Sequence, residues 1–149
     1  MIIDHATLED SKDIFNWRND QKTREMYVHG EEITWKHHSE WFSRMLKSPN
    51  NVIYIGRDRE SKTSIGVVRF DINKNQNDSE VSINLNPIWR GKGVSSKLLS
   101  ASIKQFISSH KIPIVAKVKI KNIPSVKCFE SALFELEDKD RDYYYYGFR

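Results

Sequence analysis

Apolar residues recur along this chain with two periods, and each change of period marks a new element. Ile2 and Ile3 open a short strand. Thr7-Leu8-Glu9-Asp10 has the form of a capping box, and Leu8, Ile14 and Trp17 then recur at roughly helical spacing. Thr34 is a second N-cap, followed by Trp35, His38, Trp41, Phe42 and Met45 on one helical face. Ser48-Pro49-Asn50-Asn51 ends that helix. Strands are expected at 52–57 and 64–72, joined by a polar turn at 59–63, and residues 74–78 form a second turn with the composition of a hairpin. Glu80-Val81-Ser82-Ile83-Asn84-Leu85 alternates strictly, with Glu80, Ser82 and Asn84 on one face. Pro87 stops this strand; a loop at 89–93, a helix over 94–108 carrying Leu98, Leu99, Ile103 and Phe106, a strand at 112–118 and a helix at 123–132 follow. Two strands close the chain, the last within 143–148. The order β-α-α-β-β-β-α-β-α-β-β, a hairpin region followed by a β-α-β crossover, implies a mixed sheet in an α/β domain.

The length of 149 residues fits one domain spanning 1–149, and 38% hydrophobic residues suffice for a core. No apolar run approaches a membrane span, and Met1-Ile2-Ile3-Asp4-His5 does not read as a secretory signal, so a cytoplasmic protein with no membrane partner is expected. The single cysteine, Cys128, excludes an internal disulfide and a multi-cysteine zinc site, and no metal is expected; His37 and His38 diverge on a helix and cannot chelate one ion together. Residues 1–75 carry 12 acidic and 12 basic side chains, so residues 76–149 supply the whole net charge of +4. Between Arg90 and Lys127 there are nine basic residues and no Asp or Glu, a positive field suited to a polyanion. Nucleic acid is not the expected partner, because Phe106 is the one aromatic in that tract beyond the loop and it sits at an apolar helical position.

Arg90-Gly91-Lys92-Gly93-Val94-Ser95-Ser96 lies between a strand and a helix. Two glycines permit a tight turn, and the helix start adds unpaired N–H donors and the positive end of its dipole. Such a turn binds phosphate. It has neither the spacing of a Walker A loop nor that of a dinucleotide fingerprint, since position 96 is Ser.

Arg90-x-x-Gly93-x-Ser95 resembles the Arg/Gln-x-x-Gly-x-Gly/Ala signature of the GNAT superfamily of acetyl-CoA-dependent N-acetyltransferases. Asn122-x-x-Ser125-x-x-x-Phe129, then Leu133-Phe134, resembles that family's second cofactor motif, Asn-x-x-Ala-x-x-x-Tyr ending in Gly-Phe. In the N-terminal half, Trp17-Arg18-Asn19, Met26-Tyr27, Ile33-Thr34, His38, Trp41-Phe42 and Leu46-Lys47-Ser48-Pro49-Asn50 resemble the PseH group, the nucleotide amino-sugar N-acetyltransferases of the pseudaminic acid pathway. The resemblance implies a mixed, mostly antiparallel twisted sheet of about seven strands flanked by about four helices, with a V-shaped opening between strands 4 and 5. It implies acetyl-CoA as co-substrate. The loop from Arg90 through Gly91, Lys92, Gly93, Val94 and Ser95 to Ser96 would hold the pyrophosphate. Backbone groups of Ile83 and Leu85 would hold the pantetheine arm as an added strand, with Asn122 and Phe129 on the other side.

Glu80 is then the expected base, directly or through a water, and burial beside the cofactor would make it a stronger one. Phe129 stands where the family has a tyrosine that protonates the leaving thiolate; a thiol of pKa about 8.5 leaves tolerably without that help. By resemblance Arg18 and His38 line the acceptor pocket, and Arg18 would pair with a nucleotide phosphate. Trp35, Trp41 and Phe42 read as core, and Cys128 as a buried bystander of direct transfer. Residues 143–146, four tyrosines, would put one face in the core and the other in a pocket or a homodimer contact. The expected acceptor is the 4-amino group of a nucleotide-activated amino-deoxy sugar, such as UDP-4-amino-4,6-dideoxy-N-acetyl-altrosamine. The alternatives are a protein N-terminus or other small amine, for which Glu31-Glu32 is a faint hint, and an acetyl-CoA-binding sensor.

Overall fold

A computed structural model describes residues 1–26 and 30–148. Tyr27, one residue of the PseH-like pattern, lies outside them. Seven strands form one sheet: β1 (Ile2–His5), β2 (Asn51–Arg57), β3 (Ser64–Asn73), β4 (Asp78–Leu85), β5 (Ile114–Lys119), β6 (Glu135–Lys139) and β7 (Tyr143–Phe148), in the order β1-β2-β3-β4-β5-β7-β6. Every neighbouring pair is antiparallel except β4 and β5, which run parallel. Helices α1 (Ser11–Arg18), α3 (Trp35–Lys47), α4 (Ser95–Ile107) and α5 (Ile123–Ser131) match the expected four. A fifth, α2 (Gln21–Glu25), is all polar and too short to show a period; the Asp20 carboxylate starts it by accepting the Thr23 N–H at 3.2 Å. The Thr7–Asp10 box caps a single 3-10 turn leading into α1, with the Thr7 N–H donating to Asp10 at 2.9 Å.

The alternation of the strands divides the core between the two faces of the sheet. On one face Tyr54, Val68, Phe70 and Val81 meet Leu98, Leu99 and Phe106 of α4 and Phe129 of α5. On the other Ile53 and Ile55 meet Ile14 and Trp17 of α1 and Phe42 of α3. Phe42, Phe70 and Phe106 are all fully enclosed, each contributing roughly 2–3 kcal/mol of transfer free energy. Gly66 lets α4 lie close to the sheet, since a Cβ there would stand 2.9 Å from Leu98 Cδ2 of α4 and 2.7 Å from the Asn84 carbonyl oxygen of β4.

The parallel ladder between β4 and β5 has only two rungs, Ser79–Ile114 and Glu80–Val115. Beyond Glu80 the strands part, while β4 stays paired with β3 through Leu85 and β5 with β7 through Lys119. The V-shaped opening therefore starts at Glu80.

Helix α5 ends with the Leu133 N–H on the Glu130 carbonyl and the Phe134 N–H on the Phe129 carbonyl, which forces Leu133 to φ 70°. The family pattern has glycine at this position, and Leu133 is 77% exposed, so its side chain gains little there. Leu133→Gly should stabilise the protein by roughly 1 kcal/mol and raise the melting temperature by about 3 °C, measured by thermal denaturation.

Candidate active site

The Ser79 N–H of β4 donates to the Pro113 carbonyl at 2.9 Å, on the β5 side. By alternation Val81, Ile83 and Leu85 aim their N–H and C=O groups the same way; Val81 still meets β5 at the Glu80–Val115 rung, while Ile83 and Leu85 face the opening where β5 has moved off. A ligand lying there can pair as a further strand, at the positions expected for Ile83 and Leu85.

At the wide end of the opening Gly91 and Gly93 take φ 73° and 70°, a conformation that glycine adopts without strain. Val94 precedes α4 without a side-chain cap. Among the described residues, no backbone or side-chain acceptor takes the N–H groups of Gly93, Val94, Ser95, Ser96 or Lys97. Five amides at the positive end of a 13-residue helix are thus left without protein partners, which fits a diphosphate. Lys92 and Lys97 are exposed beside them.

Three residues of the expected cofactor set have other contacts. The Arg90 guanidinium binds Asp20 at 2.5 Å and the Thr23 hydroxyl at 2.9 Å, so in this structure it pins the loop to α2. Burial pushes the Asp20 carboxyl up, but Arg90 and the Thr23 donors outweigh it and hold the group below the usual carboxylate range. Asn122 caps α5 by accepting the Ser125 N–H at 3.3 Å. Phe129 is a core residue, edge-on to Phe134 at 4.9 Å. Burial raises the Cys128 thiol, against a weaker opposing effect of the Ser95 hydroxyl, which leaves it a poor nucleophile.

Two cavities adjoin the α1/α3 face of β4. Glu80 lines the larger, about 500 Å³, with Asp71 and Asp78. Glu80 is exposed, so the burial expected to strengthen it as a base is absent; the reason is its place at the sheet surface beside the β3–β4 hairpin, away from either helix-covered core. The smaller cavity, about 260 Å³, lies between Ser82 and Asn84 of β4, Val67 and Arg69 of β3, and Arg18 and Trp41 of the helices.

Arg18 and His38 do come together, with 3.0 Å between the Arg18 guanidinium and the His38 Nδ1. His38 is fully enclosed behind Arg18 and, against the expectation for it, does not line the cavity. Its Nε2 lies 3.0 Å from the Ser11 carbonyl oxygen, which can only accept, so Nε2 carries the proton and Nδ1 accepts from Arg18. Burial, then the Arg18 charge, lower the His38 pKa to about 4, against the opposing pull of the Ser11 carbonyl. Trp41 receives two cations, the Arg18 carbon at 4.3 Å and the Arg69 carbon at 5.2 Å from its ring centre. Arg69 is held through Nε by both oxygens of Asp71 at 3.1 Å. Sequence reading missed Arg69, Asn84, Asp20 and Thr23. The period-2 pattern gives the face of Arg69 only once the β3–β4 register is known, and α2 left no periodic signal at all.

A family model of the acetyltransferase (GNAT) domain matches residues 1–135, and the chain belongs to that family. It is an acetyl-CoA-dependent N-acetyltransferase. It is 24% identical over 103 residues to the "Uncharacterized N-acetyltransferase YfmK" of Bacillus subtilis, covering 69% of this chain and 67% of that one. Its fold resembles that of spermidine N-acetyltransferase from Vibrio cholerae in complex with CoA and spermine, with a TM-score of 0.87, 18% identity and coverage of 99% and 94% of the two chains. A domain from Methanocaldococcus jannaschii is similar at TM-score 0.82, 24% identity and coverage of 99% and 96%. Among the described residues no helix is long and apolar enough to cross a membrane, and no cluster of metal-ligating side chains occurs.

The folded protein keeps His38 neutral down to about pH 4, whereas an unfolded chain protonates it near 6.5. The unfolded state binds the extra proton in that window, so stability should fall as pH drops through it, by on the order of 2 kcal/mol. Thermal melts from pH 7 to pH 4 should show this fall, and His38→Gln should flatten the profile.

Proposed function

We propose that the protein transfers acetyl from acetyl-CoA to the primary amine of a small acceptor bearing phosphate, in its finer form the 4-amino group of a nucleotide-activated amino-deoxy sugar. The observation that carries this reading is the pair of guanidiniums, Arg18 and Arg69, on Trp41 at the smaller cavity. Two guanidiniums, Arg69 already paired with Asp71, favour phosphate over a polyamine, and an indole beside them offers a stacking surface. The neutral His38 adds no competing charge and holds Arg18 in place.

Glu80 sits where β4 and β5 part, which supports its role as base. The amine nitrogen attacks the thioester carbonyl carbon, and its proton passes to Glu80 directly or through a water. A backbone N–H near Leu85 meets the oxyanion. The carbon–sulfur bond then breaks and the thiolate leaves unaided, consistent with Phe129 in the core. A polyamine acceptor is the second reading, favoured by the acidic lining of the larger cavity, Asp71, Asp78 and Glu80.

An acetyl-transfer assay over UDP-, CMP- and TDP-amino sugars, peptides and spermidine separates these. Turnover of a nucleotide amino sugar is expected, with KM for it raised at least tenfold by Arg18→Ala and by Arg69→Ala; turnover of spermidine or peptides alone would overturn the sugar assignment. Glu80→Gln should lower kcat by roughly 10² to 10⁴ with little change in acetyl-CoA affinity, and an unchanged kcat removes Glu80 from the mechanism.

A further inference from the structure

A chain of hydrogen bonds joins the cofactor loop to the smaller cavity. Arg90 binds both Asp20 and the Thr23 hydroxyl, and that hydroxyl lies 3.4 Å from the Asn84 Oδ1. Asp20 also accepts the Thr23 backbone N–H. The single hydroxyl hydrogen of Thr23 has two acceptors at 3.4 Å, Asp20 Oδ2 and Asn84 Oδ1, and with Asp20 already bonded by Arg90 and by this N–H it is available to Asn84. This contact orients the Asn84 amide, whose Nδ2 is buried and without a partner among the described residues. Asn84 lines the 260 Å³ cavity with Ser82, Arg18 and Arg69. A buried amide donor left unpaired is costly, so an oxygen supplied by a ligand there is strongly favoured.

We propose that Asn84 is an acceptor-binding residue, donating from Nδ2 to an oxygen of the amine substrate, and that Thr23, Asp20 and Arg90 are positioning residues that tie its orientation to the acetyl-CoA loop. The idea rests on acetyl transfer to an amine, and it narrows the acceptor to amines that carry a hydroxyl, carbonyl or phosphate oxygen near the reacting nitrogen. A protonated polyamine offers only donors and cannot satisfy Nδ2. Losing the Arg90–Asp20 pair redirects the Thr23 hydroxyl to Asp20, 3.4 Å away, and frees the amide to turn. The loop that binds one substrate thereby sets a contact to the other.

Steady-state kinetics test this, with UDP-4-amino-4,6-dideoxy-N-acetyl-altrosamine, a peptide with a free N-terminus, and spermidine as acceptors. Asn84→Ala should raise the acceptor KM about 10- to 30-fold and change the acetyl-CoA KM less than twofold. Asn84→Asp, which keeps the shape and removes the donor, should do the same if the alanine variant melts early. Thr23→Val should raise the acceptor KM about fivefold, and Thr23→Ser should restore it, which a packing role would not predict. If the nucleotide sugar is turned over and Asn84→Ala leaves its KM within twofold, this proposal fails and the sugar assignment stands. If only the peptide is turned over and its KM responds to Asn84, the sugar assignment fails and this proposal stands. Turnover of spermidine alone overturns both.

Discussion

The structure depends on a ladder that stops. β4 and β5 share two rungs and then part, although each remains paired on its other side. A strand with a bare row of N–H and C=O groups is ordinarily a hazard, because it invites another chain to add to the sheet. Here the bare row lies inside a cleft, with α4 and α5 packed on one face of the sheet and α1 and α3 on the other. The parting also fixes polarity. Glu80 stands at its apex, and the uncapped start of α4 follows β4 through the glycine turn, so the proposed base and the proposed phosphate seat lie at opposite ends of one strand.

Charge is sorted around that strand. The acidic groups Asp71, Asp78 and Glu80 gather at the hairpin end, while Arg18 and Arg69 gather over Trp41 at the cleft end. Asp71 touches both regions, since it binds Arg69 from the acidic side. Keeping two guanidiniums near one cavity is unfavourable unless each has a partner. Arg69 has Asp71, and Arg18 has the lone pair of a histidine that burial keeps neutral. A protonated His38 would repel Arg18, so the depressed pKa of His38 is a condition for the cation cluster.

Strong periodicity made most of the fold legible in the sequence. The alternation from Glu80 to Leu85 and the helical face from Trp35 to Met45 give β4 and α3 directly, and the two glycines of the loop mark positions where only a left-handed backbone suffices. Elements without an internal pattern were not legible. α2 is five polar residues held by one cap, and nothing in its composition separates it from a loop. Arg69 shares a face with Ser82 only through the β3–β4 register, which no local pattern encodes. The exposure of Glu80 was hidden for a related reason: alternation gives the face on which a side chain lies, but not whether a helix covers that stretch of the face.

Arg90 shows how a motif residue acquires a second physical role. Its place in the loop suggests direct phosphate contact, yet the guanidinium spans to the cap of α2, and the five amides without protein acceptors among the described residues are the proposed phosphate seat. Backbone donors at a helix start bind anions without an adjacent side-chain charge, so the arginine is not required as a ligand. Holding the loop is the more demanding task. A glycine turn with φ positive twice is inherently mobile, and a seat made of amides works only if they converge before the ligand arrives. An arginine bound to a carboxylate and a hydroxyl on a separate helix supplies that rigidity. It also ties the small, polar α2 to the loop and, through Thr23, to Asn84 at the smaller cavity.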